Sequence, residues 1–198
     1  MKIIFIRHGQ TTGDLEDRYG GSYDDHLSEE GIKQSETLLK ELKDKGIELI
    51  VTSPLIRAQE TAKIVSGLGC TVIIELDLRE RNQYGILSGM IKKEAVEKYP
   101  DLVEKLKDRF NTIDGAESYE DFSVRIKKAF NFLQLDKDHS CVAIISHGGP
   151  MRVLFRDILG KGELKEIGDC AWVELESVSG QISINDIQRI DNKETETI

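Results

Sequence analysis

The sequence predicts an α/β protein, a three-layer α/β/α sandwich built on a mostly parallel central sheet. Three observations predict it. Four short runs, "KIIFI" from Lys2, "IELIVTS" from Ile47, "TVIIEL" from Thr71 and "CVAIIS" from Cys141, are apolar and largely continuous, as in strands buried on both faces. The stretches between them carry apolar residues at helical spacing. Strands that alternate with helices pair in parallel and place the helices on both faces of the sheet.

Each element has a local reason. After the first strand and a loop, "LSEEGIKQSETLLKELKDKG" sets Ile32, Leu38, Leu39 and Leu42 at helical spacing, with Ser28 as N-cap and Gly46 as stop. "SPLIRAQETAKIVSGLG" follows the second strand as a helix, with Ser53 at the N-cap, Pro54 at the first helical position and a face of Leu55, Ala58, Ala62 and Val65. Beyond the third strand the pattern is mixed, with a short helix at "KKEAVEKY" that ends before Pro100 and another at "DLVEKLKDRF". Ser118 and Asp121 form a capping-box-like start to a longer helix that carries Phe122, Ile126, Ala129 and Leu133 on one face. "GGPMRVLFRDILG" is a helix closed by Gly160. "AWVELES" and "QISIND" alternate as a closing pair of edge strands, and the polar tail from about residue 187 is expected to be flexible.

Composition sets outer bounds. The 198 residues suit one domain spanning 1–198. A net charge of -9 supplies no global field for nucleic acid or anionic membrane, so an anionic ligand must be held by a local cluster. Cys70, Cys141 and Cys170 are odd in number, far apart and set among apolar residues, which fits reduced thiols and a cytoplasmic location. No run approaches the roughly 18 apolar residues of a membrane span.

In a parallel sheet, ligands bind at the C-terminal strand ends. Here those ends read "RHG", "TSPLIRA", "LRER" and "SHGG", and supply Arg7 and His8, Arg57, Glu80 and Arg81, and His147. Two of the chain's four histidines occupy equivalent places, each at a strand end and each followed by glycine. Taken singly, each is more often a satisfied structural residue or a surface cation; the joint pattern carries the argument. Two guanidiniums beside two imidazoles make a pocket for a phosphoryl group, because the guanidinium fork matches phosphate oxygens. The first turns of the helices after Ser53 and His147 are expected to add backbone donors, and Gly9, Gly148 and Gly149 to permit close approach. A neutral imidazole is a competent nucleophile towards phosphorus, so His8 could form a phosphohistidine that water discharges. Glu80 would give a proton to the leaving oxygen and take one from the water. No metal or other cofactor is then required.

"RHGQT", "SPLIRAQETA", "RERNQYGILSG" and "SHGG" resemble, in order and spacing over roughly residues 1–160, the motifs of the histidine phosphatase superfamily, which includes phosphoglycerate mutases and small phosphatases. The resemblance implies a phosphoglycerate mutase-like fold, His8 as the phosphorylated nucleophile, Glu80 as proton donor and a phosphate pocket of Arg7, Arg57 and His147. Thr11, Gly20, Gly21 and Gly148 match substrate-site positions. Arg81, Tyr84 and Lys92 match a segment that, in mutases, holds an acidic group at the far end of the substrate. The chain lacks the paired-arginine insertion and longer tail typical of mutases, and has Gly149 where mutases usually have Asn, which favours a phosphatase over the alternative mutase. Asp14 replaces the family's usual Asn; its carboxylate must turn away, pair with an arginine or carry a proton.

Two rival readings have sequence features of their own. His8, His147 and Glu80 are the ligand types of a two-His, one-carboxylate metal site, but two arginines in the same pocket would repel the ion. Asp14 would suit a catalytically weak phospholigand-binding module, against which stand an intact nucleophile and acid. The expected partner is a small phosphate ester rather than nucleic acid or membrane, and a homodimer is compatible with the chain.

Overall fold

The computed structural model describes residues 1–178 and 180–192. Its strands are β1 (Lys2–Arg7), β2 (Leu49–Thr52), β3 (Thr71–Ile74), β4 (Cys141–Ser146), β5 (Leu164–Val178) and β6 (Gln181–Asn192). The helices are α1 (Thr12–Leu15), α2 (Glu29–Leu42), α3 (Ile56–Val65), α4 (Lys92–Lys98), α5 (Pro100–Lys105), α6 (Tyr119–Gln134) and α7 (Gly148–Val153), the last running on as a π-helical turn over Leu154–Ile158. The six strands form one sheet in the order β3-β2-β4-β1-β5-β6, parallel from β3 to β1 and antiparallel at β5 and β6.

The expected three layers are present. Ile3, Phe5, Val142 and Ile144 face a core closed by Phe130 of α6 and Met151 of α7. Ile4, Ile6, Ala143 and Ile145 face the opposite one, closed by Leu38 and Leu42 of α2 and Ala58 and Ala62 of α3. The continuous apolar runs of β1 and β4 therefore serve two cores at once. Each fully buried aliphatic side chain contributes roughly 1.5–3 kcal/mol.

Register converts the matching sequences "RHG" and "SHG" into a spatial pair. β1 and β4 align from Lys2 with Cys141 to Arg7 with Ser146. The next residues, His8 and His147, consequently leave the sheet side by side, and the His8 N–H donates to the Ser146 carbonyl at 3.1 Å.

Several expectations are corrected. β3 is an edge strand whose Val72, Ile73 and Ile74 are exposed, so only three of the four continuous runs are buried strands. β5 lies inside the sheet between β1 and β6, so only β6 of the closing pair is an edge. The α3 helix starts at Ile56, not Pro54. Leu55 is extended, with φ -72° and ψ 140°, and takes the N-cap position, while the Ile56 N–H is satisfied by Asp24 Oδ1 at 2.7 Å from a separate loop. On α2, Ile32 is exposed although Leu38 and Leu42 are buried. Residues 187–192, expected to be flexible, complete β6, while the remainder of that tail lies outside the described residues. Ser28 and Ser118 cap α2 and α6 as expected, accepting from the N–H groups of Gly31 and Asp121 at 3.0 Å each.

Candidate active site

A cleft of about 580 Å³ opens over the C-terminal ends of β1 and β4. Eight cationic and four anionic side chains line it, an excess of positive charge on a chain whose net charge is -9. Every residue expected at the site lines this cleft except Gly9 and His147, the latter fully buried behind His8 with its ring centroid 5.0 Å away.

The protonation geometry of His8 follows from its two neighbours. Nδ1 lies 2.7 Å from the Gly9 carbonyl, which can only accept, so Nδ1 carries the proton and Nε2 the lone pair. Arg57 Nε–H donates to that lone pair at 3.2 Å. The His8 pKa lies well below the usual 6.5, first because burial strips the imidazolium of hydration, then because Arg57 and Arg7 repel a further positive charge. His8 is thus a neutral base with Nε2 on the side of Arg57. Gly9 makes this turn possible, since a Cβ there would stand 2.6 Å from the Gly31 carbonyl oxygen where α2 crosses.

His147 is held in the complementary state. His147 Nε2 lies 2.7 Å from Ser53 Oγ, which also accepts the Leu55 N–H at 3.3 Å. The pKa of His147 is also pushed well below 6.5, by burial first and by Arg57 as the strongest neighbouring charge. Nδ1 is buried with no hydrogen-bond partner among the described residues, so it is free to meet a ligand as a donor when the Ser53 hydroxyl donates to Nε2.

Arg57 is fixed by Asp25 Oδ1 at 3.0 Å and by the carbonyls of Tyr23 and Gly21 at 2.7 and 2.9 Å. Asp25 is buried, and its other oxygen accepts the Gly13 N–H at 3.1 Å. Arg7 reaches to β5, donating to the Ile167 carbonyl at 2.5 Å with Asp169 at 3.3 Å. Burial raises the carboxyl pKa of Asp169.

Glu80 does not sit at the end of β3. Five residues separate it from Ile74, and the intervening chain crosses to β4, where Ser146 Oγ–H donates to the Leu78 carbonyl at 2.7 Å. Its carboxylate accepts the backbone N–H groups of Arg81 at 2.7 Å and Gly149 at 2.9 Å. The donor expected to serve phosphate from Gly149 therefore serves Glu80, as Asp24 takes the amide of Ile56. A Cβ on residue 149 would stand 2.0 Å from Glu80 Oε1, so glycine there is what lets Glu80 occupy its place. At Gly148 no such constraint exists, since its nearest contact would be Arg7 Nε at 4.0 Å.

Asp14 makes no ion pair with an arginine among the described residues and turns back on its own helix start. Its Oδ2 accepts both the N–H and the hydroxyl of Thr11 at 2.9 Å, forming the capping box of α1. Among the others, Tyr84 packs on Tyr19 with ring centroids 4.7 Å apart and planes inclined by 40°. Lys92 pairs with Asp17 at 2.5 Å, and Arg81 is buried, its Nε and Nη1 tied to backbone carbonyls.

Sequence reasoning missed Asp25, Ser53 as a histidine partner, and Arg125. Arg125 donates to the carbonyls of Asp77, Arg79 and Glu80 at 2.8, 2.7 and 3.1 Å and pairs with Glu117 at 2.6 Å, fixing the segment that ends in Glu80. A signal was present, since Arg125 stands between Phe122 and Ile126 on the apolar stripe of α6, where a charge needs a buried partner. Arg109, Arg152, Arg156 and Glu163 also line the cleft and carried no motif. Among the described residues, no three His, Cys, Asp or Glu side chains gather as a metal site.

Comparison with known proteins gives the same picture. Phosphoserine phosphatase 1 of Hydrogenobacter thermophilus is 30% identical over 162 residues, 81% of this chain and 77% of that protein. A protein of Enterobacter sp. named "Probable phosphoglycerate mutase GpmB" is 29% identical over 167 residues, 81% of this chain and 75% of its own length. The structure of a mycobacterial glucosyl-3-phosphoglycerate phosphatase in complex with VO3 superposes with a TM-score of 0.81 at 26% identity, covering 95% of this chain and 98% of that one. With the profile described as "Histidine phosphatase superfamily (branch 1)" matching residues 3–189, the chain belongs to the histidine phosphatase superfamily.

Proposed function

We propose that this chain hydrolyses a small phosphomonoester without a metal ion, through a phosphohistidine on His8. The observation that carries the reading is the state of the two histidines. One offers a lone pair beside a guanidinium, and the other has a buried Nδ1 with no partner among the described residues. A phosphoryl group completes both, its oxygens taking the donors of Arg57, Arg7 and His147 while phosphorus meets His8 Nε2.

In the first step the Nε2 lone pair forms the N–P bond, the P–O bond to the alcohol breaks, and the leaving oxygen takes the proton of the Glu80 carboxyl. In the second, water attacks phosphorus and gives its proton to the Glu80 carboxylate. The N–P bond then breaks, and the electron pair returns to a neutral imidazole. The relatives named as phosphatases support hydrolysis. Gly149 supports it too, because it leaves the space beside the phosphoryl site to Glu80.

The mutase-named relative is the ground for a second reading, phosphoryl transfer between the hydroxyls of phosphoglycerate. A panel of phosphomonoesters assayed for released phosphate in a chelator, beside an isomerisation assay with and without bisphosphoglycerate, separates the two. Hydrolysis should persist in the chelator and fall by about a thousandfold or more in His8→Ala. An unchanged rate in His8→Ala would overturn the mechanism.

A further inference from the structure

Arg7 and Arg57 face the same phosphoryl site and are held differently. Arg57 is fixed from three directions, with the buried Asp25 as its carboxylate. Among the described residues, Arg7 takes its partners from one short piece of β5 alone: the Ile167 carbonyl at Nη1, and Asp169 Oδ1 at 3.3 Å from Nη2. Its Nε has no partner there and is the first atom a Cβ on Gly148 would meet, at 4.0 Å. The contacts to β5 thus leave that edge of the guanidinium for a phosphoryl group. Asp169 does not line the cleft; it lines a separate hollow with Gln34 and Cys170, so it can reach a substrate only through Arg7.

That piece of β5 is a bulge. Ile167 stands opposite Ile190 and Trp172 opposite Gln188, so Gly168 to Ala171 face Arg189 alone. Cys170 and Arg189 have φ of +52° and +59°, two of the three positive values outside glycine among the described residues. Side chains persist in that region only where their surroundings hold them, and such strain gathers at functional sites. Here the surroundings are specific. Arg189 donates through Nε and Nη2 to the Cys170 carbonyl at 3.2 and 2.8 Å, and through Nη1 and Nη2 to the Glu41 carboxylate of α2 at 2.8 and 2.7 Å. On its other side the bulge touches the nucleophile's own backbone, the Cys170 N–H donating to the His8 carbonyl at 3.2 Å.

We propose that Asp169 is a positioning residue for phosphoryl transfer, aiming Arg7 at the phosphoryl group from a strained bulge that Arg189 and Glu41 clamp from outside the cleft. Asp169 is to Arg7 what Asp25 is to Arg57, a carboxylate that fixes a guanidinium without meeting the substrate. The inference rests on the reading of this cleft as a phosphohistidine hydrolase site and adds to it a support from the far side of the sheet edge, where the sequence carries no motif.

The test is a cycle of variants assayed on one phosphomonoester, with the folding of each followed by thermal unfolding. Asp169→Ala, a change at a partly exposed side chain, should lower kcat by about tenfold or more, and Asp169→Asn, which keeps an oxygen for Arg7, should recover part of the loss. A role through charge alone gives another pattern, since both variants lose the same charge and both would then hold an anion more tightly. In an Arg7→Ala background Asp169→Ala should cost little further, because its route to the substrate is gone. Arg189→Gln should also lower kcat, and by less in the Asp169→Ala background; an unchanged kcat in folded Arg189→Gln would overturn the clamp. Wild-type kcat in Asp169→Ala, equal losses in Asp169→Ala and Asp169→Asn, or an undiminished loss in the Arg7→Ala background would overturn the inference and leave the hydrolase reading standing. If the intact chain turns over no phosphomonoester, the hydrolase reading falls and calorimetry with inorganic phosphate decides. Weaker binding in Asp169→Ala, despite the lost negative charge, then supports the inference, and equal or tighter binding overturns it.

Discussion

In the proposed mechanism a proton on His8 Nε2 removes the electron pair that attacks phosphorus, so the acid side of the pH profile belongs to that nitrogen. Burial and two guanidiniums hold the His8 pKa well below 6.5. The acid limb of kcat/KM is accordingly expected below pH 6.5, with activity retained where an exposed imidazole would already be protonated. The same shift has a stability counterpart. His8 and His147 bind protons more weakly folded than unfolded, so the unfolded chain takes up more protons below about 6.5. Stability from these two groups is therefore complete above that value and lost as pH falls through the folded-state pKa values. Urea unfolding midpoints at a series of pH values check the sign. At this scale much was legible: Arg7, His8, Arg57, Glu80 and His147 carry their chemistry in their residue type. What was hidden is how they are held, since a tautomer depends on Gly9 and Ser53 only after folding has placed them.

The elements differ in how far their own sequence determines them. Ser28 and Ser118 cap helices because each meets an amide three residues on, a local event that pattern reading captures. Ser53 has the same credentials before Pro54, yet its hydroxyl serves His147 and the amide of Ile56 is satisfied by Asp24 from elsewhere in the chain. β3 has the apolar run of a buried strand and lies at an exposed edge, because a run records side-chain type and not the number of neighbours. The segment carrying Glu80 has almost no regular structure of its own and is fixed by Arg125 of α6. Arg125→Met should release the carbonyls of residues 77, 79 and 80 and leave Glu117 without its buried partner. The expected cost is about 3–5 kcal/mol of stability, together with a fall in kcat larger than any rise in KM, because in the proposed mechanism Glu80 acts on the leaving oxygen. Thermal unfolding and steady-state kinetics on the same preparation measure both. A loss of stability with kcat unchanged would show that Arg125 only supports the fold.

At the scale of the whole molecule, charge is distributed against the net. The chain is acidic, and its cleft is lined by twice as many cations as anions. Such a cleft focuses positive potential on an anionic substrate while the outer surface does not. Raising the ionic strength from about 0.05 to 0.5 M shortens the screening length roughly threefold. kcat/KM for a phosphomonoester should then fall severalfold, chiefly through KM, and more steeply for a substrate with two anionic groups. The sheet explains why the site lies where it does. Parallel pairing of β1 with β4 in a register that matches Arg7 with Ser146 brings two sequence-distant histidines together, and β2 beside β4 delivers Ser53 and the start of α3.

The central claim is that His8 becomes covalently phosphorylated. Rapid base quench of the wild-type chain during turnover of a phosphomonoester, followed by mass spectrometry of the peptide containing Arg7 to Gln10, tests it directly. The account predicts a phosphate on His8 that survives base and is lost in acid, as a phosphoramidate is, and that is absent from His8→Ala. Turnover at full rate with no label on His8 under any quench, or a label that persists in His8→Ala, would contradict it.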